Sequence, residues 1–263
     1  MRIIVCIKQT PDTEAQIRIS DIGKSMLLLQ DVKTILNPYD EFAIEEALRI
    51  KEKMGGEVIV ATFGPDSAKE QLLRGLAMGA DRGILVASTS FPQTSSLLTA
   101  TVLAQLVTQE QGDLVLCGKQ GIDEDNMEVG VMLAELLGWP HVNAVTQLTL
   151  TDTSAHVERE VEGGQTEVYR VQLPSVFGAH KSLNTPRYAS LPGIMKAKKK
   201  PLDTKTVSDM GLEEAQLKNL VQVRVDHYEY PPKKPAGKLF KGASTESMVT
   251  EVLELLRTEA KVI

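Results

Sequence analysis

Over the first 140 residues, runs of consecutive apolar, mostly β-branched positions alternate with longer segments whose apolar positions recur every three to four residues. Arg2–Ile7 (RIIVCI) predicts a strand buried on both faces. Glu41–Lys53 (EFAIEEALRIKEK) places Phe42, Ile44, Ala47, Leu48 and Ile50 on one side of a helix. Glu57–Phe63 predicts the second strand, followed after Gly64-Pro65 by a helix to about Met78. Gly83–Ala87 is then a third strand, Ser95–Gln109 a helix, Asp113–Cys117 a fourth strand and Asn126–Leu137 its helix. Such alternation calls for a parallel sheet covered on both faces and wound by right-handed crossovers. The expected class is α/β: a Rossmann-like, doubly wound, mostly parallel sheet.

After Trp139-Pro140 the period shortens. Asn143–Leu150, His156–Val161 and Glu167–Leu173 alternate apolar and polar positions, with Gly163-Gly164 between the last two. This predicts a β-hairpin added to the sheet. Thr185-Pro186 and Leu191-Pro192 interrupt regular structure, and a basic run Lys196–Lys200 follows. Residues 201–242 are proline-rich and weakly periodic, as expected of an extended arm. Thr245–Lys261 closes the chain as a helix with Met248, Val249, Val252, Leu253, Leu255 and Leu256 along one stripe. An arm and helix with no second core of their own are expected to pack on another chain. The predicted division is residues 1–186, a loop over 187–200, and an arm with its helix over 201–263.

With 42% apolar and 24% charged residues in 263, the chain can bury a sizeable core. No apolar run approaches the roughly 18 residues of a membrane span. The first residues lack the apolar core and small-residue site of a secretory signal, so the expectation is a cytoplasmic protein not embedded in a membrane. Cys6 and Cys117, the only cysteines, both lie in apolar runs, which fits small buried thiols in a reducing compartment. The net charge of −6 is uneven: residues 186–241 hold 12 Lys/Arg against 6 Asp/Glu, leaving −12 on the rest. An acidic body with 4% aromatics is a poor nucleic-acid binder. The basic segment reads either as a docking element or as a solvated face.

In an open parallel sheet, ligands favour the crevice beyond the carboxyl ends of the strands. Three segments are expected there: Lys8–Glu14 (KQTPDTE), Asn37-Pro38-Tyr39-Asp40, and Gly118–Gly130 (GKQGIDEDNMEVG). Amides at a helix start would suit a nucleotide phosphate, although neither G-x-G-x-x-G nor the P-loop pattern is present. Asp125 followed by Glu128 also fits a capping box that needs no ligand. Asn37 and Asp40 fit turn and N-cap roles equally well. His141, His156, His180 and His227 are too scattered for a triad or a metal set, and no nucleophile elbow occurs. The chain has residues to hold a ligand and to dock, and none to break bonds, so no catalytic residue and no enzyme activity is expected.

Several blocks in one order now resemble a known family, the β (small) subunit of electron transfer flavoprotein: LNPYDEFAIEEALRIKEK, LAMGADRGI, DLVLCGKQGIDED, LLGWP, VEREVEGG and LNTPRYASLPGIMKAKKK. The resemblance implies an electron-carrying α/β heterodimer. Its FAD is held mainly by the α subunit, and the C-terminal arm of the β chain packs on that subunit. In the respiratory type the β chain holds an AMP. The matching positions here are Cys6, Asn37, Pro38, Tyr39, Asp40, Phe63, Gln120, Gly121, Ile122, Asp123, Glu124, Asp125, Asn126, Met127, Glu128, Val129, Gly130 and Val131.

The match departs from the family after the acidic core of that loop. The respiratory pattern continues C-N-Q-T-G-Q, whereas Glu128 and Val129 replace its Gln and Thr. Val129-Gly130 and Pro11-Asp12-Thr13 resemble the electron-bifurcating branch, whose β chain holds a second FAD and meets NADH. That branch's D-G-D-T-A-Q-V-G is only partly met, since Glu124 stands where it has glycine. AMP is therefore the expected nucleotide and a second FAD the alternative; a stand-alone adenine-nucleotide-binding protein is a more distant one. Arg187–Lys200 resembles the loop that docks acyl-CoA dehydrogenases, with Leu191, Pro192, Ile194, Met195 and Lys196 as partner contacts. Leu191 either enters a partner's pocket or covers its own domain. Electrons would pass onward to a membrane quinone oxidoreductase or another acceptor.

Overall fold

The two-residue period of an extended chain sends alternate side chains of strand β1 (Arg2–Cys6) to opposite sides. Ile3 and Val5 enter one core, and Ile4 and Cys6 the other. A computed structural model describes residues 1–16, 18–19, 27–28, 32–91, 95–221, 226–234, 236–241 and 244–263. Strands β2 (Glu57–Gly64), β3 (Arg82–Ala87) and β4 (Leu114–Gly118) repeat the pattern of β1. Helices α1 (Pro38–Met54) and α2 (Lys69–Met78) cover the first face through residues such as Ile44, Ala47, Leu72 and Leu76. Helices α3 (Ser96–Gln109) and α4 (Val129–Leu137) cover the second, with Leu98, Leu106 and Leu133 fully buried. Each such side chain adds about 1.5–3 kcal/mol. Continuous apolar strands are what burial on both faces requires.

The main sheet has nine strands in the order β7-β6-β5-β8-β4-β1-β2-β3-β9. The added members are β5 (His141–Leu150), β6 (Ser154–Val161), β7 (Gln165–Gln172), β8 (Ser175–Ala179) and β9 (Leu202–Lys205). Neighbours from β5 to β9 are parallel, whereas β5, β6 and β7 form an antiparallel meander. The expected doubly wound α/β sheet with its hairpin is present, Gly163 and Gly164 turning at φ 78° and 71°. Among the described residues, no helix is long and apolar enough to cross a membrane.

Two strands depart from the sequence-based expectation. β8 lies centrally between β5 and β4, yet only Leu173-Pro174 separates it from β7, so the two read as one alternating segment. β9 and the short helix α6 (Glu214–Lys218) fall where the sequence predicts an extended arm. β9 (LDTK) has no apolar run because it is an edge strand held by main-chain pairing to Gly83–Val86. Behind it Val207, Met210 and Leu217 enter the second core. The described residues from 226 to 241 form no helix or strand; the Ile19 amide donates to the Tyr230 hydroxyl at 3.0 Å. α7 (Thr245–Leu255) starts on a Ser244 cap, and Val249 and Leu253 of its apolar stripe are exposed.

Candidate functional site

Strand order reverses at β1, because β2 and β3 lie to one side and β4 to the other. The loops leaving β1 and β4 therefore diverge and open a crevice at their carboxyl ends. α1 begins beside it with Pro38 in its first turn, where a missing amide hydrogen costs nothing. Asn37 precedes this helix but does not cap it with its side chain. Its amide donates to Asp40 Oδ1 and to the Gln120 carbonyl, both at 2.9 Å, and its Oδ1 accepts from the Ile122 amide at 3.3 Å.

Asp40 completes the junction. Its buried carboxylate accepts from the Lys8 amide at 2.6 Å and the Gly118 amide at 2.9 Å. One side chain thus ties the exits of β1 and β4 to the first turn of α1. The N-cap role that the sequence leaves open for Asn37 is replaced by cross-linking of three segments.

Burial pushes the Asp40 carboxyl up to about 7, although its three donors favour the charged form. The unfolded chain releases this proton near 3.8, so between those values the folded protein binds more protons. Stability from this group is greatest below the lower value and is lost as pH rises to the upper one. The expected loss, relative to an Asp40→Asn variant, is on the order of a few kcal/mol across that window, with no further change above it. Denaturant midpoints of both proteins measured against pH check this; a constant difference contradicts it.

The loop after β4 is held by ion pairs to the segment that leaves β1. Lys8 Nζ pairs with Asp123 at 2.8 Å and Glu124 at 3.2 Å. Burial opposes the Lys8 charge, and the two carboxylates outweigh it, so its pKa is raised. Gln120 donates to Asp125, and Asn126 donates to Ser96 Oγ at 3.0 Å. Asp125 and Met127 adopt φ 52° and 57°, left-handed values that interrupt any helix there. The predicted capping box is consequently not formed: α4 starts at Val129, with Glu128 as an N-cap residue that makes no cap hydrogen bond. Asp125 is committed to Gln120 instead.

The first turn of α4 thereby lacks a side-chain cap. A Cβ on Gly130 would sit 3.1 Å from Cys117 Sγ and 3.3 Å from His141 Nε2, so this turn lies close on the strand ends. His141 Nε2 is buried there without a hydrogen-bond partner among the described residues. Uncapped amides at a helix start, beside a loop hugging the backbone, fit a phosphate group. Met127 and Val131 are exposed apolar neighbours suited to a planar base.

The remaining predicted positions lie around this junction. Cys6 is buried beneath it and pairs in register with Cys117. Burial raises both thiols, Cys117 to about 12 and Cys6 well above its usual value, so neither supplies a thiolate. Tyr39 faces the Lys119 ammonium, 5.2 Å from its ring centre. Phe63 meets Phe91 edge to face at 5.8 Å, one strand further along the sheet. A cavity of about 360 Å³ opens beside Pro140, His141, Arg159, Tyr169 and Arg170; it shares His141 with the start of α4, and none of the predicted site residues lines it. The parts played by Lys8 and Gly118 were not legible individually; the signal was a lone lysine leaving β1 in a fold that brings an acidic loop opposite.

The proposed docking residues occupy a separate surface. α5 (Leu191–Ala197) is capped by Ser190, whose Oγ accepts from the Gly193 amide at 3.1 Å. Leu191 is 79% and Met195 72% exposed, and Pro192, Ile194 and Lys196 are also exposed. Leu191 therefore does not cover its own domain.

Residues 26–210 match the family described as Electron transfer flavoprotein domain. The chain is 40% identical to Electron transfer flavoprotein subunit beta of Bacillus subtilis, over the whole of both chains. It is 40% identical to the protein of that name from Mus musculus and 39% to that from Homo sapiens, in each case over 98% of both chains.

Proposed function

This chain belongs to the electron transfer flavoprotein family, among its β subunits, and from that premise we propose that it is the cradle and docking half of an electron carrier. An α subunit completes the heterodimer and holds FAD, whose chemistry is to take up and release electrons. The β chain binds AMP in the crevice between β1 and β4. Gln120–Val131 line the nucleotide, the amides at the start of α4 meet its phosphate, and Asn37 and Asp40 fix the loop that receives it. Electrons enter from an acyl-CoA dehydrogenase-type flavoenzyme docked on Leu191–Lys196. They leave to a membrane oxidoreductase or another acceptor; of the predicted arm, β9 and α6 belong to this chain's own sheet and core, and the part from residue 226 onward, with α7, binds the α subunit.

The observation that carries the nucleotide reading is the uncapped start of α4 beside the loop tied down by Asp40 and Lys8. AMP is favoured over a second FAD because Glu124, paired with Lys8 at the crevice mouth, stands where the bifurcating branch has glycine. The test is to denature the purified heterodimer and count what it releases. One FAD and one AMP per heterodimer are expected. Two FAD would reject the AMP carrier in favour of a bifurcating enzyme that oxidises NADH.

A further inference from the structure

The docking segment combines two properties: its outward side chains are apolar and exposed, and its backbone is tied down on both sides. Tyr188, Leu191 and Met195 are 98%, 79% and 72% exposed. Just before them, Arg187 binds two glutamates of α1 at once. Its Nε and Nη2 donate to Glu45 at 2.7 and 3.0 Å, and its Nη1 and Nη2 donate to Glu52 at 2.6 and 3.3 Å. The Arg187 main-chain amide adds a bond to Glu45 at 3.1 Å. Only the planar fork of arginine can serve two carboxylates in this way. Glu45 is almost wholly buried by the contact, and its pKa is held below the usual glutamate value despite burial.

Beyond the segment, Lys200 Nζ donates to the carbonyls of Leu76 at 3.0 Å and Ala80 at 2.5 Å, near the end of α2. A cation is favoured at such a helix terminus. In the middle, α5 lies directly on α2: a Cβ at Gly193 would come within 2.6 Å of the Ala77 carbonyl, and Ala197 is buried. These contacts leave Leu191 and its neighbours exposed while removing backbone freedom. A partner that meets an ordered surface loses less free energy to ordering it.

We propose that Arg187 and Lys200 are positioning residues that preform the docking surface, Arg187 by mooring it to α1 and Lys200 by mooring it to α2. The inference rests on the docking role proposed for Leu191–Lys196 and assigns the groups that make that surface rigid. Asp40 lies in the first turn of α1 with Asn37 just before it, and Glu45 and Glu52 lie farther along the same helix. One helix is therefore the mount for both the nucleotide loop and the docking segment.

The test uses the α/β heterodimer with a purified acyl-CoA dehydrogenase and its acyl-CoA as electron donor. The variants are Arg187→Lys, Lys200→Ala, and the neutral pair Arg187→Gln with Glu45→Gln, which leaves no buried charge without a partner. The KM for the heterodimer is expected to rise about tenfold in the double variant and about threefold in both Arg187→Lys and Lys200→Ala. The kcat should stay within twofold and flavin content should be unchanged. Hydrogen exchange over residues 188–199 should accelerate in the same order, with the sheet unaffected. Unchanged exchange overturns the mooring, and faster exchange with an unchanged KM overturns its part in docking. If even Leu191→Ala leaves KM unchanged, the docking reading fails and this role with it, while the exchange data still report on the mooring separately.

Discussion

Alanine at Gly118 is expected to lower the unfolding free energy by about 3 kcal/mol and to release the nucleotide from the heterodimer. Its Cβ would lie 2.4 Å from Asp40 Oδ1, 2.6 Å from Tyr39 Cβ and 2.8 Å from the Tyr39 carbonyl carbon. The last two atoms belong to the first turn of α1 and cannot rotate away. Relief requires α1 to retreat or Asp40 to turn aside, which strips the Lys8 and Gly118 amides of their acceptor. Each of these partly buried amides, once abandoned, costs about 1 kcal/mol or more. Gly163→Ala is the control: among the described residues nothing lies within 4 Å of its Cβ, and only the strain of φ +78° applies, about 1–2 kcal/mol. Urea titration and assay of released AMP measure the two effects. If Gly118→Ala is the milder of the two substitutions, the three-way junction is not what holds the loop.

Leu191→Ala should slow electron uptake from a dehydrogenase about 30-fold at subsaturating concentration, equivalent to about 2 kcal/mol of lost contact. The same change should leave the unfolding free energy within about 0.5 kcal/mol of the parent. A side chain that is 79% exposed opens no cavity in its own domain when shortened. The large kinetic effect and the negligible stability effect must appear together. Basic neighbours at Lys196, Lys198 and Lys199 are expected to steer an acidic partner and to affect chiefly association, so the difference between parent and alanine variant at subsaturating partner should persist when ionic strength is raised. Stopped-flow flavin reduction distinguishes the two, and equal rates for parent and variant would remove Leu191 from the contact.

Where burial is written locally, the fold was legible. β1 to β4 are apolar on successive positions because both faces are covered, and α1 carries a stripe at helical spacing. β8 and β9 were not, because five- and four-residue strands owe their place to pairing with β4, β5 and β3, distant in the chain. The crevice segments were found from topology, but the work of Asp40 was hidden. N-x-x-D before a helix looks like a turn, and only the fold brings the Lys8 and Gly118 amides to it. The Asp125–Glu128 spacing misled for the opposite reason: the local bond from Gln120 to Asp125 and the left-handed backbone at Asp125 and Met127 displaced the cap. Leu191 was singled out by family resemblance, since no periodicity marks an exposed leucine as an anchor.

The docking segment leaves the middle of the sheet after β8 and rejoins its far edge as β9. It is a span with two fixed abutments and not a loose tail. On the docking role proposed for Leu191–Lys196, residues between the abutments are expected to be exchangeable without unthreading the scaffold, so that the choice of electron donor behaves as a replaceable cassette on a constant frame.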